Sequence, residues 1–350
     1  MTVDEKIMFG CIALAKRGAG YVSPNPLVGC IIIKDDAIIG EGFHEKYGEP
    51  HAEANAIEDA KKKGFTLEGA KLYVNLEPCS HTGKRPPCAD LIVKEKISEV
   101  FIGMQDPYEE VNGTGIKKLQ ESGIKVTSGI LEKECKELNK FFIKYVTEKK
   151  PYVTLKIAQS IDGVIALSNN QSKYITNKAS RKYVHQLRSE YDAVLIGRNT
   201  AKFDNPDLTV REVEGRHPYR IVIDSKLKLS ADLKLFTDEN KDKTYIISNE
   251  KDKSRNVIHI KNNITVKKIL KKLYEQNINS VLVEGGANLF SQFLKEDLFD
   301  DAYFFIAPKI LGSGLQPFGD FKIKNLDKAK DLKFEYQKNL DNDILLYYKK

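Results

Sequence analysis

Apolar positions change period along this chain, from helical spacing to strand-like runs and back, and the order of those changes predicts the fold. Residues 4 to 17 place Ile7, Cys11, Leu14 and Ala15 on one helical face, and Gly18 and Gly20 end that helix. Two apolar runs, Val28 to Ile33 and Ala37 to Gly42, flank Lys34-Asp35-Asp36 and predict a hairpin. Pro24-Asn25-Pro26 sets an extended turn just ahead of it. After Pro50, the spacing of Ala52, Ala54, Ala56, Ile57 and Ala60 predicts a small-residue helix that closes against a sheet and stops at Gly64. Leu72 to Leu76 reads as a strand, Pro78 as a first helical position, and Pro87 to Leu91 as the opening of another helix. Strand-like Val100 to Gly103, helix-like Gly115 to Ser122 and strand-like Lys125 to Ser128 follow. One amphipathic helix is then predicted over 131 to 146, with Leu131, Cys135, Leu138 and Phe142 on its face. Alternation of this kind predicts a sheet with helices on its faces, the α/β class.

At Lys149-Lys150-Pro151 a charged pair and a proline precede a fresh strand, Tyr152 to Ile157, which divides the chain into domains at 1–147 and 151–350. The second half is expected to hold further strands at 192–197, 220–224, 244–248, 280–284, 301–308 and 344–349. Its helices are expected at 177–189, 264–276 and 286–296. No internal repeat relates the two halves.

Composition narrows the function classes. A chain of 350 residues with 41% hydrophobic content can pack two cores. With no 18-residue apolar run and no charged-then-apolar leader, neither a membrane span nor a secretory signal is expected, and the location expected is cytoplasmic. Five scattered cysteines fit a reducing compartment better than a disulfide framework. The formal charge of +7 rests on lysines spread along the chain, and the aromatics are not interleaved with arginine. That balance suits a small anionic molecule as partner and gives no support to nucleic acid. Self-association into a homo-oligomer is also expected.

Candidate chemistry is concentrated at His51-Ala52-Glu53 and at Pro78-Cys79-Ser80-His81-Thr82-Gly83-Lys84-Arg85-Pro86-Pro87-Cys88. One imidazole and two thiolates suit Zn²⁺, and three protein ligands leave the fourth tetrahedral position open, as catalytic zinc requires. Zinc deaminases use H-x-E with P-C-x-x-C, the glutamate carrying protons outside the coordination sphere. Here eight residues, not two, separate the cysteines. Two other readings stand beside this one. A closed structural zinc would take His81 as its fourth ligand but leaves Glu53 without a task. A redox pair of Cys79 and Cys88 lacks the C-x-x-C spacing. Gly113-Thr114-Gly115 begins like a dinucleotide fingerprint, lacks its third glycine, and reads as a helix start. Two strand-to-helix turns in the second half, Ile196 to Thr200 and Val283 to Leu289, have the glycine content to hold phosphates, or simply to turn tightly.

His51-Ala52-Glu53, the long cysteine insert and Pro24-Asn25-Pro26-Leu27-Val28-Gly29 resemble the deaminase half of the bifunctional riboflavin-biosynthesis deaminase/reductase family. Lys156 to Gly163, Asp204 to Arg211 and Glu284-Gly285-Gly286 are similar to its reductase half. The resemblance covers nearly the whole chain. It implies a cytidine-deaminase-like zinc domain followed by a dihydrofolate-reductase-like domain. The first would use Zn²⁺ to deaminate a phosphoribosylaminopyrimidine, and the second would use NADPH to reduce the ribosyl group to ribityl. On this reading His51, Cys79 and Cys88 hold zinc and Glu53 shuttles the proton to departing ammonia. Asn25, His44 and Lys84 are implied as deaminase substrate contacts. Cofactor contacts are implied at Ala158, Tyr174, Thr200, Asp204, Ser225 and the turn Gly286, Ala287, Asn288, Leu289, Phe290, Ser291, Gln292. Tyr174 stands where the family carries tryptophan and keeps an aromatic face with a polar tip. Ser172, Arg188, Leu208, Arg211 and Glu284 are implied as reductase substrate contacts, with the two arginines suited to a phosphate and Glu284 to ribose hydroxyls.

Overall fold

A computed structural model describes residues 1–80 and 86–350, which divide into two compact units, Met1–Lys149 and Lys150–Lys350. In chain order the first unit runs α1 (Val3–Lys16), β1 (Gly29–Lys34), β2 (Ala37–Phe43), α2 (Ala52–Lys62), β3 (Lys71–Leu76), α3 (Cys88–Lys94), β4 (Glu99–Met104), α4 (Thr114–Glu121), β5 (Lys125–Ser128), α5 (Glu132–Leu138) and α6 (Lys140–Glu148). Its five strands lie in the order β2-β1-β3-β4-β5, antiparallel from β2 to β3 and parallel from β3 to β5.

Alternation along β1 presents successive residues to opposite faces. Gly29 meets the backbone of α1, while Gly42, beside Cys30 in the register, meets that of α2. The approach at Gly42 is so close that a Cβ there would lie 2.4 Å from Ala56 N and 2.5 Å from Ala52 O. Only glycine fits, and the alanines of α2 complete the close contact. This packing carries the helix start that bears His51.

Two corrections to the expected elements concern the first unit. Pro78 does not start a helix; residues 77–80 are irregular, and Cys79 lies just beyond the end of β3. The single helix expected over 131–146 is two, broken at Asn139, whose φ of −101° and ψ of 17° leave the helical region.

The second unit runs β6 (Tyr152–Ser160), β7 (Ala166–Leu167), α7 (Lys178–Glu190), β8 (Ala193–Gly197), α8 (Arg198–Asp204), β9 (Tyr219–Ile223), α9 (Lys234–Thr237), β10 (Thr244–Ser248), β11 (Val257–His259), α10 (Val266–Tyr274), β12 (Ser280–Gly285), α11 (Ala287–Lys295), β13 (Asp301–Ala307), β14 (Gly314–Leu315), β15 (Lys333–Leu340) and β16 (Asp343–Lys349). Nine strands form one sheet in the order β11-β10-β9-β8-β12-β6-β13-β16-β15. It is parallel from β11 to β13, with β16 and β15 added antiparallel. The central strands β8 and β12 are apolar and buried almost throughout, as a parallel strand covered on both faces must be. Where β13 lies between β6 and β16, the buried Asp301 carboxylate accepts hydrogen bonds from Tyr152 (2.9 Å) and Thr154 on β6 and from Tyr347 (2.6 Å) on β16.

Candidate functional site

In the first unit the site is assembled at two helix starts and one strand end. His51 caps α2 with an extended φ and ψ of −75° and 166°, and its side chain makes no capping bond. Cys88 is the first residue of α3, and Cys79 follows β3. His51 Nδ1 lies 3.7 Å from Cys79 Sγ and 3.4 Å from Cys88 Sγ, and the three donor atoms fall within 4.8 Å of one another. No disulfide joins the two sulfurs. The Cys88 amide donates to Cys79 Sγ at 3.3 Å. A hydrogen bond from the Cys88 thiol is the main influence holding Cys79 down to about 4, while that same bond and burial push Cys88 well up. One nitrogen and two sulfurs at this spacing fit a zinc ion held through Nδ1 and thiolates. His81 and Lys84 lie outside the described residues.

Glu53, in the first turn of α2, is 3% exposed, and burial followed by the Cys79 charge pushes its pKa up to about 7. A carboxyl poised near neutrality can both take and give a proton. Asn25 Nδ2 lies 3.0 Å from His44 Nε2, and His44 Nδ1 lies 3.0 Å from Pro50 O. A carbonyl only accepts, so Nδ1 carries the hydrogen and Nε2 accepts from Asn25. Burial lowers the His44 pKa and keeps that ring neutral. Its face meets His51 edge-on, with centroids 5.3 Å apart. Asn25 is thus both a turn residue, its own N–H bonded to Val22 O, and a partner of His44, which packs on the metal-site His51.

Three buried polar residues that sequence reasoning missed support this arrangement. Glu77 accepts four backbone N–H bonds, from Asp106, Gly113, Gly115 and Ile116, at 2.9 to 3.2 Å. It fills the start of α4 and fixes the strand end that leads into Cys79. Asn75 and Asn139 bond the backbone of Leu27 and Gly29. For Glu77 the available signal was an acid closing an apolar strand beside a ligand. Nothing local marks Asn75 or Asn139.

In the second unit the implied contacts gather at the carboxyl ends of parallel strands, where open α/β sheets bind ligands. The turns after β8 and β12 are neighbours, Ile196 pairing with Gly285. Gly285 and Gly286 have φ of 150° and 98°, and a Cβ on Gly286 would lie 3.3 Å from Thr200 Oγ1. The bare backbone leaves a cradle between Thr200 and the start of α11, which fits a dinucleotide's phosphates. Leu289 and Phe290 point into the core, and Ser291 Oγ is buried with no hydrogen-bond partner among the described residues. Only backbone is offered by those three. Asn288 bonds Asp320 (3.1 Å) and Gln292 (2.6 Å) at the surface. Ala158 lies on β6, and Ser225 follows β9, its carbonyl accepting from Asn249 N and Ser248 Oγ at 3.0 Å. Ser172 Oγ donates to Asp204 Oδ1 at 2.7 Å, and Lys173 donates to Asp204 O. Tyr174 is exposed, with the Arg181 guanidinium 4.5 Å over its ring.

Arg188 and Glu284, expected to meet substrate separately, hold each other. The guanidinium grips both carboxylate oxygens at 2.5 and 2.8 Å, with Lys156 Nζ at 3.4 Å. Burial alone would push Glu284 up, but the charges of Arg188 and Lys156 outweigh it and hold the carboxyl at about 2. The Arg188–Glu284 pair is thus largely shielded from solvent, whereas Arg211 is half exposed and paired with Asp207. Leu208 between them is buried with φ of 54°.

A deaminase-type metal site on one unit and a dinucleotide cradle on the other define a two-activity enzyme, a zinc deaminase joined to a reductase. Residues 1–104 match the cytidine and deoxycytidylate deaminase zinc-binding region, and residues 151–346 match the RibD C-terminal domain. The chain is 40% identical to the riboflavin biosynthesis protein RibD of Aquifex aeolicus, covering 99% of each. It is 35% identical to RibD of Escherichia coli, covering 98% of each. A solved Thermotoga maritima structure, titled a diaminohydroxyphosphoribosylaminopyrimidine deaminase/5-amino-6-(5-phosphoribosylamino)uracil reductase, superposes with a TM-score of 0.92 at 42% identity, over 99% of this chain and 98% of that one. The chain belongs to the RibD family, the bifunctional deaminase/reductases of riboflavin biosynthesis. Zn²⁺ and NADPH are its cofactors, and no helix among the described residues is long and apolar enough to cross a membrane.

Proposed function

We propose that the first unit deaminates a diaminohydroxyphosphoribosylaminopyrimidine and that the second reduces the phosphoribosyl group of the product. The observation that carries this reading is the His51, Cys79, Cys88 cluster with Glu53 buried beside it. His51 Nδ1 and the two sulfurs would hold the zinc. When bound, the zinc acidifies water at neutral pH and NADPH acts as a two-electron reductant. Glu53 takes the proton from the attacking water and gives it to the departing amine, so that water and an amino group leave as ammonia and a ring carbonyl. Asn25, steadied by His44, meets the pyrimidine, and Lys84 is a further contact in the same reading. In the second unit Ala158, Tyr174, Thr200, Asp204, Ser225 and the Gly286 to Gln292 turn receive the cofactor. Arg211, the more exposed arginine, meets the substrate phosphate, Arg188 holds Glu284 in place, and Ser172, Leu208 and Glu284 are the further substrate contacts of this reading.

Glu53→Gln keeps the size and removes the proton relay. We expect full zinc content, ammonia release reduced by about 10² to 10⁴-fold, and unchanged NADPH oxidation on pre-deaminated substrate. Retained deamination would overturn the assignment.

The reading includes a cytoplasmic location, supported by five unpaired cysteines. It includes self-association too, supported by exposed Phe334, Tyr336 and Ile344 on the last two strands. A single-chain mass in light scattering would remove that part.

A further inference from the structure

The helical period of residues 131–146 runs without interruption, yet the backbone breaks at Asn139, and the broken position is 2% exposed. An alanine there would continue the helix more readily than asparagine. What the break provides is a pair of hydrogen bonds to a backbone 112 residues away: Leu27 N–H donates to Asn139 Oδ1 at 2.8 Å, and Asn139 Nδ2 donates to Leu27 O at 3.0 Å. Asn75 completes the set, donating to Leu27 O at 2.9 Å and accepting from Gly29 N–H at 2.7 Å. Both lone pairs of the Leu27 carbonyl are thereby used. Two side-chain amides do for this loop what a neighbouring strand would do. Two residues before Leu27 stands Asn25, bonded to His44, whose ring lies against His51.

We propose that Asn139 is a positioning residue of the deaminase, holding the Pro24 to Gly29 loop at the depth where the Asn25 amide faces the pyrimidine. This rests on the reading that Asn25 contacts substrate. Asn139 touches neither metal ligands nor reacting atoms, and acts only through Leu27. Its loss should therefore weaken substrate binding more than turnover. Aspartate is no substitute: it keeps the acceptor for Leu27 N–H but sets a second oxygen against the Leu27 carbonyl.

The test is steady-state ammonia release by the full, zinc-loaded chain acting on the diaminohydroxyphosphoribosylaminopyrimidine, for Asn139→Ala, Asn25→Ala and the double variant. Zinc content and NADPH oxidation on pre-deaminated substrate report folding of the two units in the same preparations. Asn139→Ala should raise KM about tenfold, the equivalent of one hydrogen bond, with kcat moving less, zinc retained and reduction unchanged. The double variant should be no worse than the poorer single one, because both changes remove the same contact. An unchanged KM in Asn139→Ala, while Asn25→Ala raises it, overturns the proposal alone, as do multiplicative effects in the double variant. An unchanged KM in Asn25→Ala instead overturns the substrate-contact reading beneath it. Should Asn139→Ala fail to fold, Asn139→Asp carries the same expected and overturning outcomes.

Discussion

Arg188 and Glu284 illustrate how a charged pair can be both necessary and easily misassigned. Read singly, each side chain suits a ligand; brought together, the fork and the carboxylate satisfy each other largely out of water. Removing one partner strands the other. Arg188→Met should destabilise the intact chain by about 3–5 kcal/mol in urea denaturation, the cost of an uncompensated buried charge. A loss under about 1 kcal/mol would mean that Lys156 and solvent suffice for Glu284. At this scale the sequence was legible where chemistry demands particular donor types. His51, Cys79, Cys88 and Glu53 announce themselves by spacing, whereas Glu77, Asn75 and Asn139 serve backbone groups that are distant in the chain and leave no local pattern.

Among elements, the long ones with a buried face were readable and the short or exposed ones were not. Strands β8 and β12 bury regular apolar faces, helix α7 buries one long side at Ser180, Val184, His185 and Leu187, and all three were located within a residue or two. Strand β15 buries almost nothing at the sheet's outer edge, so its residues carry no alternation to detect. The seven residues of α8 are too few for a helical period to register. The inner side of α7 also sets a pH response. Burial first, then the charges of Arg188 and Arg211, lower His185 to about 4 against the partly opposing Glu284 and Glu212, and its Nδ1 accepts from Arg211 N–H. In the unfolded chain the same ring titrates near about 6.5. Stability from the neutral ring is complete above that value and is lost as pH falls from about 6.5 to about 4, because only the unfolded state gains the proton there. Melting temperatures at about pH 7.5 and about pH 5 should differ less in His185→Gln than in the parent chain. Equal differences would show that another group sets the acid limit.

For the whole molecule, the His51, Cys79 and Cys88 cluster lies in the first unit and the implied cofactor turns lie in the second. A chelator should therefore abolish ammonia release and spare NADPH oxidation on pre-deaminated substrate, and zinc should restore the first. Loss of both together would mean that the metal site supports more than its own unit.

The Asp301 staple has a further consequence for how the second unit is made. Its partners come from the unit's first strand, β6, and from β16, the last strand described. On the ribosome, the reductase sheet must wait without the Tyr347 donor to that carboxylate and with an apolar edge open until β16 emerges, whereas every described strand of the deaminase half has already been synthesised. Chaperone dependence during biosynthesis should fall on the late half, and the zinc site should mature first.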